Sequence, residues 1–291
     1  MNNTEILNNY SKRLGSTGKT RNLYLRYAQD FLNYANGNFE RETIDKYLAR
    51  LKRQKYSDGS INLIFRIVRT LFKRNEVLLK EQNIEWPFNR GESPQIREDR
   101  IQAPALDPDV ISEMIQAIKD NGEPDEKAFL AISTTYGTRR IEMVELEQES
   151  VDIKGRTIHI TTAKHGRERT HIIPDEIVPY LKEYDFDKKR SEFELFTLWY
   201  RIEYLIELEH TNQVGWHSVR RTLNTLLLDQ LPEGTVMSFM RWKQRTSSHM
   251  PYHYSAQRFV GREGMTTKVV GEARDVDSKV FKVHPFLEYW R

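Results

Sequence analysis

Arg139, Lys164, His217, Arg220 and a tyrosine at 252 or 254 make a set of side chains that phosphoryl transfer could use. Little of that catalysis is covalent; most is positioning and stabilisation of charge, and fixed cations supply both. The two arginines lie in GTRRIEMVELE and WHSVRRTLNTLLL, whose helical periodicity would bury one face and hold a guanidinium at its edge. Glu142 follows Arg139 by three residues and can hold that guanidinium from the same face. Arginine suits two phosphate oxygens because its planar fork donates in pairs and keeps its charge. His217 precedes Arg220 by the same interval, and imidazole is the side chain best suited to move a proton near neutral pH. Each pair alone is common on exposed helices, so the weight comes from the combination.

The elements that must carry these residues follow from pattern. The chain has 291 residues, 38% hydrophobic and 30% charged, which predicts a soluble globular protein of two domains. No apolar run approaches the roughly 20 residues of a membrane span. MNNTEILNNYSKRLG lacks an apolar signal core and predicts an intracellular protein. The absence of cysteine excludes disulfides, a thiol nucleophile and cysteine-based zinc sites. The formal charge of +3 is unevenly spread: residues 1–95 carry +7, which suits a polyanionic partner, although a solvated helical surface explains it as well.

Residues 1–82 read as a small helical bundle, with Leu23, Tyr27, Phe31 and Tyr34, then Ile44, Tyr47, Leu48 and Leu51, then Ile61, Ile64, Val68 and Leu71 at helical spacing. Residues 83–104 are polar, contain three prolines and have no period, and so read as a linker. In 105–291 Asp107 and Pro108 open a further helix. VDIKGRTIHITTAKHGRERTHIIP then predicts three antiparallel strands with turns at Lys154-Gly155 and Lys164-His165-Gly166, placing Lys164 near a hairpin tip. The fold class is therefore mainly α, a helical N-terminal domain followed by an α+β domain with a three-stranded antiparallel sheet.

GTRRIE, a lysine on a β-hairpin turn, HSVRR with Thr222 behind it, and a downstream tryptophan followed by tyrosine resemble the catalytic domain of the tyrosine recombinases, the phage-integrase-like enzymes. The likeness runs from about residue 105 to 260, and the basic first 80 residues look like that family's core-binding, DNA-binding domain. The short signature is more similar to archaeal and archaeal-virus integrases than to bacterial chromosome-dimer resolvases.

The resemblance implies a site-specific recombinase that cuts and rejoins double-stranded DNA through a 3′-phosphotyrosyl bond, as in viral genome integration. Arg139 and Arg220 would bind the non-bridging oxygens, Lys164 would protonate the departing 5′ oxygen, His217 would assist proton transfer, and Glu142 would be the acidic partner of the first arginine. One phosphodiester is exchanged for another ester, so neither ATP nor a metal is expected. The partners implied are DNA and other copies of the chain, in a tetrameric synapse, with the protein in the cytoplasm at the nucleoid.

Trp242 stands where the family usually has a second histidine; its indole N–H can donate to a phosphate but cannot transfer a proton. The nucleophile is open between Tyr252 and Tyr254: neither matches the usual interval from Trp242, and Met250, four residues before Tyr254, favours Tyr254. His249 and His253 are spaced for a metal on a helix but have no acidic third ligand nearby. The aromatic tail with Phe281, Phe286, Leu287, Tyr289 and Trp290 is expected to dock on a neighbouring protomer, as the resemblance implies. Two other readings use the same residues, type IB topoisomerase-like relaxation and a non-catalytic DNA-binding accessory or excision protein.

Overall fold

The structure is a computed structural model and describes residues 3–15, 18–89, 104–161, 168–188, 190–211, 213–242 and 274–291. It divides into two compact units, Met1–Ile101 and Gln102–Arg291. The first unit holds α1 (Asn3–Arg13), α2 (Gly18–Ala35), α3 (Arg41–Arg53), α4 (Asp58–Arg74) and α5 (Glu76–Lys80). Ser57 caps α4 by accepting the Ser60 N–H at 3.2 Å, and the helix buries Ile61, Ile64, Phe65, Ile67, Val68, Leu71 and Phe72. Each such fully buried side chain contributes roughly 1.5–3 kcal/mol of transfer free energy, which is what holds so small a bundle together. Phe31 of α2 meets Tyr47 of α3 edge-on at 5.3 Å, and the Tyr47 hydroxyl donates to Asp30 at 2.8 Å.

The packed part of this unit continues into the stretch whose composition reads as linker. Trp86 lies 5.0 Å from Phe72 and Phe88 lies 5.6 Å from Phe65, ring to ring. Pro87 and the surrounding charges hide two aromatic anchors that have too much apolar surface to leave in water.

The second unit contains α6 (Pro108–Asn121), α7 (Pro124–Tyr136), α8 (Arg140–Val144), β1 (Val151–Asp152), β2 (Thr157–Ile160), β3 (Arg169–Ile172), α9 (Val178–Lys182), α10 (Glu192–Leu205), α11 (Trp216–Gln230), α12 (Glu233–Phe239) and α13 (274–281). Asp107 caps α6 by accepting the Asp109 N–H at 2.9 Å with Pro108 in the first turn, as its sequence predicts. The sheet order is β1-β2-β3, antiparallel, with Val151 opposite Ile158 and Ile158 opposite His171. The first predicted turn closes at Lys154-Gly155, where the Gly155 N–H donates to Asp152 at 2.8 Å; the second, with Lys164, lies outside the described residues. Among the described residues no helix is long and apolar enough to cross a membrane.

α7 is the axis of this unit, since every residue from Ala128 to Tyr136 is buried. It stops at Gly137, whose φ of +56° is open to glycine and strained for other residues. A Cβ there would also meet Met240 Cε at 2.8 Å.

The C-terminal tail packs into its own unit. Val280, Phe286, Leu287 and Trp290 are buried in the same core as α7. Trp290 Nε1 donates to Thr134 at 3.0 Å, and His284 Nε2 donates to the Thr135 carbonyl at 2.9 Å. Lys119 closes the end by donating to the Tyr289 and Arg291 carbonyls at 2.8 and 2.7 Å. An aromatic run at a chain end looks the same whether it covers its own core or another's; here α7 offers hydroxyls and carbonyls that match the tail's donors.

Candidate active site

Arg139 follows directly from the end of α7. With Gly137 left-handed the chain turns, and Arg139 becomes the N-cap of α8 in an extended conformation, φ −80° and ψ 152°. It therefore lies at a helix end, where periodicity alone places it on a helix face. The predicted partner still forms: Glu142 accepts the Arg139 backbone N–H at 2.9 Å and Nη1 at 2.5 Å. The Arg139 guanidinium remains 24% exposed while Glu142 is fully buried, so the cation faces outward from an anchored anion.

Arg220 is held more deeply. Trp216 fixes the start of α11 by donating from Nε1 to the Leu195 carbonyl at 2.8 Å, and Val219, Leu223 and Leu227 bury one face. Arg220 shares that buried side, donating through Nη1 to the Gly137 carbonyl and through Nη2 to the Met240 carbonyl at 2.7 Å. These carbonyls end α7 and α12, where helix dipoles favour a cation. The Trp242 ring centroid lies 5.6 Å from the Arg220 guanidinium carbon, so the two predicted residues stack. His217 stands one turn before Arg220 and is exposed. Lys164, Tyr252 and Tyr254, with Met250, His249 and His253, lie outside the described residues.

Beneath these groups runs a buried polar chain that motif reading missed. Arg241 Nη2 donates to Glu142 at 3.1 Å, while Nη1 lies 3.2 Å from the Tyr136 carbonyl and 3.1 Å from His171 Nε2. Arginine only donates, so His171 Nε2 accepts and Nδ1 carries the proton toward Asp277, 3.2 Å away. Asp277, on α13, also accepts from Arg169 at 3.1 Å and from the Ile172 N–H at 2.7 Å.

The electrostatics follow from this crowding. Burial would raise the Glu142 carboxyl, but Arg241, the Arg139 N–H and Arg220 outweigh it and hold the group below its ordinary range. Burial, then Arg241 and Arg139, push the Arg220 guanidinium well down, with Glu142 opposing. Burial also lowers Arg241, against the pull of Glu142. Three guanidiniums around one carboxylate leave excess positive charge, which is what an anion such as a phosphate diester relieves. Among the described residues no group of three or more His, Cys, Asp or Glu could hold a metal ion.

The model of the phage integrase family matches residues 104–258, more than half of the chain, including Arg139, Glu142, His171, Arg220, Arg241 and Trp242. The chain belongs to that family. The tyrosine recombinase XerA of Pyrococcus furiosus is 23% identical over 184 residues, 62% of this chain and 60% of that protein, so the match spans less than two thirds of that relative. XerA of Thermococcus kodakarensis is 24% identical over 243 residues, 78% of this chain and 82% of the relative. The fold is that of the lambda integrase (75-356) dimer bound to a COC′ core site, with TM-score 0.64, 15% identity, and 90% and 97% of the two chains covered. The Tn1549 transposon integrase in complex with transposon right end DNA gives TM-score 0.63 at 13% identity, over 94% and 99%.

Within this phage integrase family fold, Arg241, His171 and Asp277 are outside the motif that sequence made legible. His171 carried a usable signal, since it sits in a strand opposite the apolar Ile158 and is followed by Ile172 and Ile173. Arg241 beside Trp242, and Asp277 within a charged run, read as solvated surface.

Proposed function

We propose that the chain is a site-specific DNA recombinase of the tyrosine type, cutting and rejoining strands of double-stranded DNA through a 3′-phosphotyrosyl intermediate. The observation that carries this reading is the joint placement of Arg139 and Arg220. One is a quarter exposed (24%) on a buried carboxylate and the other is locked by two helix-end carbonyls, with Trp242 stacked beside it. The two guanidiniums hold the non-bridging oxygens of the scissile phosphate, and Trp242 adds an indole donor. His217 assists proton transfer, and Lys164 gives a proton to the departing 5′ oxygen. Tyr254 is the nucleophile, in preference to Tyr252. Its oxygen bonds to phosphorus as the 5′ oxygen leaves, and the freed 5′ hydroxyl of a second strand later reverses the step.

Residues 1–82 are assigned as the core-binding domain and 105–291 as the catalytic domain, joined by 83–104. The DNA-bound lambda and Tn1549 integrases share the fold, and a tetramer of lambda integrase on a Holliday junction supports a tetrameric synapse here. Work on chromosomal or viral DNA places the protein at the nucleoid, in the cytoplasm. The test begins with fragmented DNA of the source organism, captured through protein adducts that survive denaturant. Sequencing defines the site, and a nicked duplex of that site then traps the intermediate. The expected result is an adduct with wild type and Tyr252→Phe but not with Tyr254→Phe; an adduct retained by Tyr254→Phe overturns that assignment, and no adduct with wild type overturns the function.

A further inference from the structure

We propose that Arg241 is a positioning residue for the phosphate cage: it holds Glu142 so that the Arg139 guanidinium is presented in one orientation, and His171 with Asp277 of the last helix fixes Arg241 in turn. The inference rests on the function proposed above and adds to it a residue, and a reason for the C-terminal helix, that the recombinase motif does not contain.

Three observations support it. First, Glu142 divides its oxygens. Oε1 takes Arg139 Nη1 at 2.5 Å, while Oε2 takes the Arg139 N–H at 2.9 Å and Arg241 Nη2 at 3.1 Å. Without Arg241, Oε2 would answer only the Arg139 N–H, and its remaining lone pair would draw the Arg139 guanidinium toward a bidentate pair, turned away from a substrate. With Arg241 present, Arg139 is held by one oxygen and its other donors stay available.

Second, Arg241 combines a left-handed backbone with a buried guanidinium that meets three elements. Its φ is +60°, the left-handed region that is costly for a long side chain, and its guanidinium is fully buried. There it joins the end of α7 through Tyr136, the cage through Glu142, and the sheet through His171. Third, charge tallies with purpose. Arg139, Arg220 and Arg241 share one buried carboxylate, so the site holds an excess of two positive charges, set before the phosphate arrives. Without Arg241 that excess falls to one. The relay from Arg241 through His171 to Asp277 ends on α13, so docking of the tail and the geometry of the cage share one set of hydrogen bonds.

The test compares single-turnover adduct formation on two nicked duplexes of the captured site, one with the natural phosphate and one with a methylphosphonate at the scissile position. The methyl group removes the diester's charge and one oxygen, and with them most of the need for two well-placed guanidiniums. Arg241→Gly suits the backbone, since glycine accepts the left-handed conformation. On phosphate it is expected to lose about 100-fold in rate, the scale of one lost oxyanion donor. On methylphosphonate it should come within about threefold of wild type, as expected when the lost electrostatic interaction no longer matters. Arg241→Lys keeps a charge but not the fork, and should lose about tenfold on phosphate only. That variant also decides the matter if Arg241→Gly does not fold. An equal deficit on both substrates, or rates on phosphate within threefold of wild type, overturns the proposal. Absence of any wild-type adduct on phosphate overturns the recombinase reading instead, and is a separate result.

Discussion

His171 and His284 show what burial does to single residues in this fold. Both rings are enclosed, and desolvation lowers each from 6.5 to about 4, against the pull of Asp277 on His171 and of the Thr135 carbonyl on His284. Each is neutral and uses both nitrogens, His284 donating to Thr135 and accepting the Phe286 N–H at 3.2 Å. The unfolded chain binds these protons more readily, so the stabilisation is complete above pH 6.5 and is lost as pH falls toward 4. Each shift corresponds to about 3 kcal/mol at the lower end. Urea unfolding of the second unit should therefore show a midpoint that falls steeply between those pH values. His284→Gln keeps a donor for Thr135 and should remove about half of that dependence. A pH-independent midpoint in wild type would contradict the buried neutral assignment.

At the scale of elements, the tail is part of the core that it covers. Removing residues 279–291 deletes Val280, Phe286, Leu287 and Trp290 from the core around α7, together with the Lys119 clamp. Loss of a buried Trp or Phe alone costs about 3–5 kcal/mol, a large part of the stability of an ordinary domain. The truncation should lower the unfolding midpoint of the second unit and reduce cleavage at a single site as much as synapsis. A truncated chain that keeps its midpoint would show that the tail is dispensable to its own unit. The helices of both units were legible because their apolar stripes repeat every three or four residues, as in α4, and so was the meander, because Ile158 and Ile160 alternate with half-buried neighbours. What period could not show was contact between distant elements. Arg139 was legible as a residue type, but its place at a helix end depends on Gly137, and the partnership of Arg241 with Glu142 crosses 99 positions of chain.

For the molecule as a whole, the uneven charge makes a quantitative claim about DNA. Residues 1–95 carry +7 and the remainder −4, so on the proposed function the non-specific attraction to a phosphate backbone is expected from the first unit. Seven cations, Lys12, Arg13, Lys19, Arg21, Lys52, Arg53 and Lys55, are candidates for backbone contact. The structure already employs Arg13 on the Arg74 carbonyl and Arg21 on Ser11. Lys52, Arg53 and Lys55 are exposed at the C-terminal end of α3, close enough in sequence to follow one strand. If all three neutralise phosphates, changing them together to Gln should reduce the slope of log K against log salt by about 3, since each contact releases roughly one counterion. Anisotropy titrations of the full chain on the captured duplex from about 50 to 200 mM salt measure that slope. The rate of adduct formation from the bound complex should be unchanged, because Arg139, Arg220 and their supports lie in the other unit. A slope equal to that of wild type would mark the three as solvated surface, and the attraction would then have to come from the remaining cations of the bundle.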